Sequence, residues 1–171
     1  MATQQATAKS AKEAFLETYE REHKTTMKVL RAYPADKADL RPHPKCKTAK
    51  ELAWIFVLER YLGTTIMNDG FSKMTGSAPP PPDKWEDVLT QLEKAHTDFA
   101  AVMNGLTEQQ LTENVTFMVA PKTPGPVQRL QFAWFLLHDQ IHHRGQFSIY
   151  LRMADAKVPS IYGPTADEPW M

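Results

Sequence analysis

The sequence has a single cysteine, Cys46, and this scarcity limits both the fold and the cellular setting. One cysteine excludes an intramolecular disulfide framework and is typical of a protein in a reducing compartment. Net charge is also missing, because 20 basic and 20 acidic residues leave a formal charge of zero at pH 7. Without an overall positive charge or a motif that mixes aromatic and basic residues, we expect no binding to nucleic acid or to an anionic membrane surface.

Long apolar runs are absent as well. The densest run, 132–137, is far too short to cross a bilayer, and residues 1–10 lack the basic start and apolar run of a signal peptide. These absences predict a cytoplasmic protein with a flexible N-terminus over about residues 1–10. The chain nevertheless contains 42% hydrophobic residues over 171 positions, which is enough for one sizeable core. We therefore expect a single domain that spans residues 1–171.

Four stretches with apolar residues at helical spacing predict an all-α protein. These stretches cover about 15–30, 48–66, 83–106 and 127–153. Two of the helix starts have the form of a capping box, in which a side chain at the N-cap and a glutamate three residues later bind free N–H groups of the first turn. The two pairs are Thr48 with Glu51 and Asp83 with Glu86.

Segments rich in proline and glycine separate the predicted helices. The segment 68–82 contains four consecutive prolines and is expected to be an exposed crossover. The segment 107–126 is less regular and contains Pro121, Pro124 and Gly125. Residues 157–171 are expected to form an irregular tail.

The fourth helix carries two apolar stripes rather than one. The first stripe contains Leu130, Trp134, Leu137, Ile141 and Leu151, and the second contains Phe132, Phe135, Leu136, Phe147 and Tyr150. A helix of this kind either lies in the centre of its own bundle or buries one stripe against a partner. The pattern is therefore compatible with homodimerisation and with simple central burial.

The fourth helix also holds a cluster of polar residues that could bind a metal ion. His138 with His142 and Asp139 with His143 both have a spacing of four, which places each pair about one turn apart on one face. The two faces differ by about 100°, so one ion is not expected to use both pairs. Either pair needs a third ligand from another helix.

Glu59 on the second helix is a further carboxylate whose partner is in question. It lies one turn beyond Ile55 on the apolar stripe of the second helix, which points its carboxylate toward the core. A buried carboxylate needs a cation or a donor, and Arg60 is the simpler alternative partner. His23 and His96 lie near apolar stripes and are expected to be hydrogen-bonded core or boundary residues. Arg144 is expected to form a structural salt bridge rather than to recognise a substrate carboxylate.

The run His142-His143-Arg144-Gly145-Gln146, followed by Tyr150-Leu151-Arg152, resembles the fourth-helix signature of the DinB/YfiT-like family. Residues 158–164 resemble the tail of many members, and 48–53 with Glu59 resemble the second helix. The resemblance implies a four-helix bundle with up-down-down-up topology that is often dimeric. It also implies a site for a divalent metal such as nickel or zinc, with activities of the metal-dependent hydrolase or thiol-dependent transferase kind acting on small molecules.

The sequence departs from the ligand set that this resemblance implies. That set has one histidine from the second helix and two, spaced by four, from the fourth. When the sequences are aligned on the pair His142-His143, the two ligands of the fourth helix fall at Asp139 and His143. The ligand of the second helix falls near Trp54 or Ile55, which cannot bind a metal. Trp54 and Ile55 are instead expected to line a pocket.

Two interpretations follow from this departure. In the first, Glu59, Asp139 and His143 form a remodelled site for iron, manganese or zinc, with water or a thiol as the nucleophile. In the second, the metal site is lost, and the protein is a noncatalytic dimeric small-molecule-binding or stress-associated bundle.

Overall fold

The computed structural model of the protein describes residues 9–74 and 76–171. Its helices are α1 (Ala11–Arg31), α2 (Ala49–Met67), α3 (Trp85–Gly105), the short α4 (Glu108–Thr112) and α5 (Arg129–Met153). Two strands, β1 (Asn114–Ala120) and β2 (Thr123–Gln128), lie between α4 and α5. The long helices α1, α2, α3 and α5 contact one another, which confirms the predicted helical bundle. The up-down-down-up order stays a prediction.

The ends of the helices agree with most of the expected boundaries. Residues 1–8 of the expected flexible N-terminus lie outside the described part of the chain, while Ser10 caps α1 in a capping box with Glu13. The predicted capping box of Thr48 and Glu51 is confirmed at the start of α2. The predicted cap at Asp83 is wrong, because the N-cap residue of α3 is Lys84 and its side chain makes no capping hydrogen bond.

A β-hairpin replaces most of the segment that was expected to be irregular. The strands β1 and β2 pair antiparallel, with Val115 opposite Val127 and Phe117 opposite Gly125. Pro124 and Pro126 cannot donate hydrogen bonds, but β2 belongs to a two-stranded sheet in which one side of each strand needs no partner. A Cβ atom at Gly125 would lie 2.8 Å from Cγ2 of Val119, so glycine is required for this close approach.

Each long helix carries buried polar residues between two apolar clusters. One cluster includes Trp54, Trp85 and Phe147, and the other includes Phe15, Phe99, Phe132 and Leu136. Between them along the four helices lie the buried polar residues Glu22, His23, Thr26, Glu59, Arg60, His96, Gln140 and Arg144. We call this set the polar layer. Because a buried polar group needs partners, the polar layer is where the fold brings charged side chains together.

Most of both apolar stripes of α5 pack inside the bundle. Buried members of the second stripe are Phe132, Leu136, Phe147 and Tyr150, whereas Phe135 keeps 51% of its surface exposed. Packing within one subunit therefore accounts for most of both stripes. No helix in residues 9–74 and 76–171 is long and apolar enough to cross a membrane.

Candidate metal centre

Three side chains from two helices meet at one edge of the polar layer. Glu59 comes from α2, and Asp139 and His143 lie one turn apart on α5; one ligand atom from each lies within 4.8 Å of the others. Nε2 of His143 is 3.4 Å from Oε1 of Glu59 and 3.7 Å from Oδ2 of Asp139. Two ligand atoms on a tetrahedral ion with bonds of about 2.1 Å lie roughly 3.4 Å apart. Glu59 therefore lies at the position where a third ligand to the α5 pair could bind.

Glu59 is the innermost member of this group. Its residue surface is 6% exposed, and neither of its carboxylate oxygens has a hydrogen-bond partner among the described residues. Burial, together with the adjacent carboxylate of Asp139, raises the pKa of Glu59 to about 9. Without a cation, the carboxyl group of Glu59 is therefore neutral at pH 7.

Arg60 does not act as the partner of Glu59. Its guanidinium instead donates to the carbonyl oxygen of Phe56 at 2.8 Å and lies 3.4 Å from Nδ1 of His23. The guanidinium also lies 5.6 Å from the ring centroid of Tyr19. The simpler alternative of a Glu59–Arg60 ion pair is wrong, since the described residues include no such pair; the Glu59 carboxyl group instead lies beside Asp139 and His143.

Gln146 fixes the orientation of the His143 ring. An amide nitrogen can only donate, so Nε2 of Gln146 donates to Nε2 of His142 at 2.9 Å. Oε1 of Gln146 then accepts from Nδ1 of His143 at 3.1 Å. With its proton on Nδ1, His143 presents a lone pair on Nε2 to the two carboxylates. Metal-binding histidines commonly have a second hydrogen bond of this kind.

The donor set of the centre fits a divalent cation. Two carboxylates and one imidazole are ligands for iron, manganese and zinc, and three protein ligands leave positions for substrate. A bound cation would also provide the partner that the two buried oxygens of Glu59 lack. The side chains of Asp139 and His143 are 39% and 21% exposed, so the centre opens to solvent on the α5 side.

The alternative histidine pair finds no third ligand among the described residues. His138 is exposed and lies beside Trp134, with 5.9 Å between ring centroids. His142 is exposed and bonded to Gln146. The structure thus brings together the Asp139 and His143 pair with Glu59, and leaves His138 and His142 on the surface.

The expectation that Trp54 and Ile55 line a pocket stays a prediction. Trp54 is buried in the core, where its Nε1 donates to the carbonyl oxygen of Pro79 at 2.8 Å. Ile55 is half-buried on α2. A cavity that does adjoin the centre is bounded by His143 and Gln146, together with Cys46 and Tyr150. Gln146 and this cavity were missed from the sequence, although the position of Gln146 three residues after His143 is a signal for a side chain on the same helix face.

The other polar residues of interest have structural partners. The rings of His23 and His96 stack with 3.6 Å between centroids, and their Nε2 atoms bond to Glu93 and Glu20. Arg144 is 1% exposed and donates to Oε2 of Glu22 at 2.7 Å. The predictions of hydrogen-bonded histidines and of a structural salt bridge are therefore confirmed.

The sequence profile of the DinB family matches residues 2–170. The chain belongs to the DinB family. A protein of Bacillus subtilis strain 168 described as the uncharacterized protein YrdA is 27% identical over 159 residues, which cover 90% of this chain and 89% of YrdA. Solved DinB-like structures support the same fold.

The crystal structure of a DinB-like protein from Bacillus cereus ATCC 10987 has a TM-score of 0.72 and 25% identity, and the match covers 88% of this chain and 97% of that one. The crystal structure of the DinB-like protein YjoA of Bacillus subtilis has a TM-score of 0.68 and 16% identity, and the match covers 86% of this chain and 97% of YjoA. These DinB relatives share the bundle with this chain.

Proposed function

We propose that this DinB protein binds one divalent metal ion at Glu59, Asp139 and His143 and uses it in a hydrolytic or thiol-transfer reaction on a small molecule. The observation that carries the proposal is the convergence of three ligand atoms around Glu59, a buried carboxyl group without a hydrogen-bond partner among the described residues. Of the two interpretations of the sequence, this convergence favours the remodelled site over the lost one. Manganese, iron and zinc suit the oxygen-rich donor set better than nickel does.

Each protein group has a distinct role in this proposal. A bound divalent ion would polarise a substrate oxygen and favour the deprotonated form of a water or thiol nucleophile. Glu59 holds the inner side of the centre and releases its proton when it becomes a ligand. Gln146 keeps the proton of His143 on Nδ1, so that Nε2 is free to bind. Asp139 lies at the solvent side, where substrate has access.

The test is metal analysis of tag-free protein after chelation and reloading with manganese, iron, zinc or nickel. We expect close to one ion per chain, and loss of that ion in Glu59→Gln, Asp139→Asn and His143→Gln. The matched controls are His138→Gln and His142→Gln, which alter exposed histidines on the same helix and are expected to keep the metal. Unfolding temperature gives a readout that needs no substrate, because an ion that binds only the folded state raises it.

Absence of metal under all loading conditions would overturn the proposal. That result would favour the second candidate, a noncatalytic small-molecule-binding or stress-associated bundle. A result in which the ion is kept in all three ligand variants would also contradict the assignment of the site.

We further propose that the protein is a homodimer in the cytoplasm. An exposed apolar patch on the hairpin and α5 supports the dimer, since Met118, Val119 and Phe135 are 42%, 53% and 51% exposed. These side chains border a groove of about 270 Å³ whose lining is entirely apolar. A symmetric contact between two copies of this patch would cover apolar surface on both. The exposed free thiol of Cys46 supports a reducing compartment.

Light scattering coupled to size-exclusion chromatography tests the dimer. Phe135→Lys is expected to shift the mass from dimer to monomer, because a buried unpaired charge opposes association. Ile149→Lys is the matched control, since Ile149 is 58% exposed on the same helix but outside the patch. A monomeric wild-type protein, or a dimer that survives Phe135→Lys, would contradict this surface.

A further inference from the structure

A cavity of about 400 Å³ opens beside the candidate metal centre. Its walls come from the connector before α2, from α2 itself and from α5, and include Pro42, Cys46, Leu52, His143, Ile149 and Tyr150. His143 belongs to both the cavity and the centre, and Gln146, which orients His143, also lines it. The cavity and the centre therefore adjoin at His143.

The wall formed by the connector is held in place by hydrogen bonds. The hydroxyl group of Tyr150 donates to the carbonyl oxygen of Lys47 at 2.8 Å, which ties the connector to α5. The backbone N–H of Cys46 donates to the carbonyl oxygen of His43 at 2.8 Å. Directly after the connector, the capping box of Thr48 fixes the start of α2. The cavity is thus formed before any ligand binds.

The lining of the cavity has a clear division between apolar and polar groups. Pro42, Leu52, Ile149 and the ring of Tyr150 provide apolar surface. Polar groups are concentrated at His143 and Gln146, on the side of the metal centre, and at Cys46 and Lys47 on the exposed connector. Apolar walls with a few convergent polar groups, in a volume of roughly 300–1,000 Å³, are typical of small-molecule sites.

Two other cavities formed by residues 9–74 and 76–171 lack this combination. One near the end of α1 is lined mainly by charged residues that include Lys24, Lys28 and Arg31, and it lies away from the centre. The groove bordered by Phe135 is lined by apolar residues. Of these three cavities, the one beside His143 combines apolar walls with access to a reactive group.

We infer that this cavity is the substrate pocket of the centre and that it takes small molecules with an apolar body and an anionic or strongly polar group directed toward His143. The inference rests on the proposed metal-dependent function for the direction of the polar group. The apolar part of the interaction does not depend on metal. Ile149 and Leu52 then determine which apolar bodies fit.

Binding of phenylbutyrate and its uncharged amide to the full chain tests the pocket, with zinc-loaded and metal-free protein compared by calorimetry. We expect metal-free protein to bind the uncharged amide at least as tightly as phenylbutyrate, because the carboxylate of Asp139 lies 3.7 Å from Nε2 of His143 and repels an anion. The affinity for phenylbutyrate is expected to rise about tenfold when zinc is present. Ile149→Trp fills the cavity from an exposed position and is expected to lower the affinity for both compounds about fivefold or more. Met153→Trp is the matched control, since Met153 is 44% exposed on the same helix and outside the lining.

Cys46 provides a second readout because it is the single cysteine of the chain. Saturating phenylbutyrate is expected to slow alkylation of Cys46 by iodoacetamide, measured by the mass of the intact protein. The pocket is overturned if neither compound binds, if binding leaves the alkylation rate unchanged, or if Ile149→Trp and Met153→Trp bind alike. If protein that takes up no metal binds the compounds and they protect Cys46, the pocket is supported and the metal-dependent function is contradicted. If the protein takes up metal but binds neither compound, the metal-dependent function is supported and the pocket is contradicted.

Discussion

Oε1 of Glu59 lies 3.4 Å from Nε2 of His143, on a different helix, and neither carboxylate oxygen of Glu59 has a hydrogen-bond partner among the described residues. The contact joins α2 to α5 at the edge of the polar layer, where the two apolar clusters of the core meet. A buried acid without a partner is costly to ionise, and a metal ion would remove that cost. The stability of the protein should therefore depend on pH in a way that metal reverses.

Metal-free protein is expected to lose stability as pH rises. The pKa of Glu59 is about 9 in the folded state, against an ordinary value of 4.5 in the unfolded chain. Between these values the folded state keeps a proton that the unfolded state has released, so the free energy of unfolding falls as pH rises. The contribution of neutral Glu59 to the free energy of unfolding is complete below about pH 4.5. It declines by up to about 1.4 kcal/mol per pH unit as pH rises and is lost above about pH 9.

Denaturant unfolding with a chelator present, from pH 6 to 9, measures this slope. Glu59→Gln keeps the size of the side chain without its titration and is expected to flatten the slope. Glu86→Gln, at an exposed position, should behave like the wild type. An equal slope in wild type and Glu59→Gln would show that Glu59 is not the buried acid.

Gln146 is expected to act on metal affinity through His143. Gln146→Leu removes the acceptor for Nδ1 of His143 while it keeps a side chain of similar size. Loss of such an orienting hydrogen bond typically weakens metal binding about 10- to 100-fold. Competition with a chelating indicator would measure the change in Kd.

The protonation of the His143 ring distinguishes a positioning role of Gln146 from a purely structural one. Nitrogen NMR of the imidazole groups reports which ring nitrogen of His143 carries the proton, and we expect Nδ1 in wild type and a mixture in Gln146→Leu. His142→Gln removes the other bond of the same amide and should change metal affinity far less. Unchanged affinity in Gln146→Leu, or an unchanged tautomer, would contradict the positioning role.

The helical bundle could be predicted because the apolar spacing of its long helices agrees with their packing. Thr48 with Glu51 marked the start of α2 from sequence alone. The hairpin could not be predicted, because Pro124 and Pro126 normally argue against a strand and are accommodated here only in a two-stranded sheet. The start of α3 was misplaced because a residue with capping chemistry, Asp83, lies just before an N-cap that makes no side-chain bond.

The candidate centre could be predicted only in part. Periodicity put Glu59 on the core-facing side of α2, and a spacing of four put Asp139 and His143 on one face of α5. The choice between Arg60 and the α5 pair as partners of Glu59 depended on side-chain direction, which helical spacing does not specify. Arg60 turns instead to His23 across the bundle.

Removal of Arg144 should destabilise the fold and release the tail. Arg144 donates to Glu22 at 2.7 Å and to the hydroxyl group of Tyr162 in the tail at 2.6 Å. Arg144→Met removes the nearer cation from the buried Glu22 and leaves Arg21, whose Nε lies 3.5 Å from Oε1 of Glu22. Breaking a buried pair by removing one partner typically costs about 3–5 kcal/mol. The measurement is the free energy of unfolding, with proteolysis of the tail as a second readout.

A double variant separates charge from packing at this position. Glu22→Leu combined with Arg144→Met removes both charges, and we expect it to recover most of the stability lost in Arg144→Met. Arg152→Met is the single-variant control, since Arg152 pairs with Asp167 from a side chain that is 52% exposed, and its loss should cost far less than that of Arg144. A double variant no more stable than Arg144→Met would mean that packing dominates.

The stacked pair of His23 and His96 is expected to make the protein sensitive to acid. Burial, then the neighbouring His96 and Arg60, lowers the pKa of His23 from 6.5 to about 4. The unfolded chain therefore binds a proton between these values that the folded state does not, so stability present above about 6.5 is lost as pH falls toward 4. The loss from His23 can reach about 3 kcal/mol.

His23→Gln keeps a donor for Glu93 and removes the titration, so we expect a shallower fall in the free energy of unfolding between pH 6.5 and 4. His43→Gln, in the exposed connector, should follow the wild type. This effect runs opposite to that of Glu59, and the two ranges overlap between about pH 4.5 and 6.5. In this overlap the two slopes cancel, so the metal-free protein should be most stable there. The comparison is made in the Glu59→Gln background, which lacks the opposing effect of Glu59; a stability that stays constant there from pH 6.5 to 4 would contradict a neutral, buried His23.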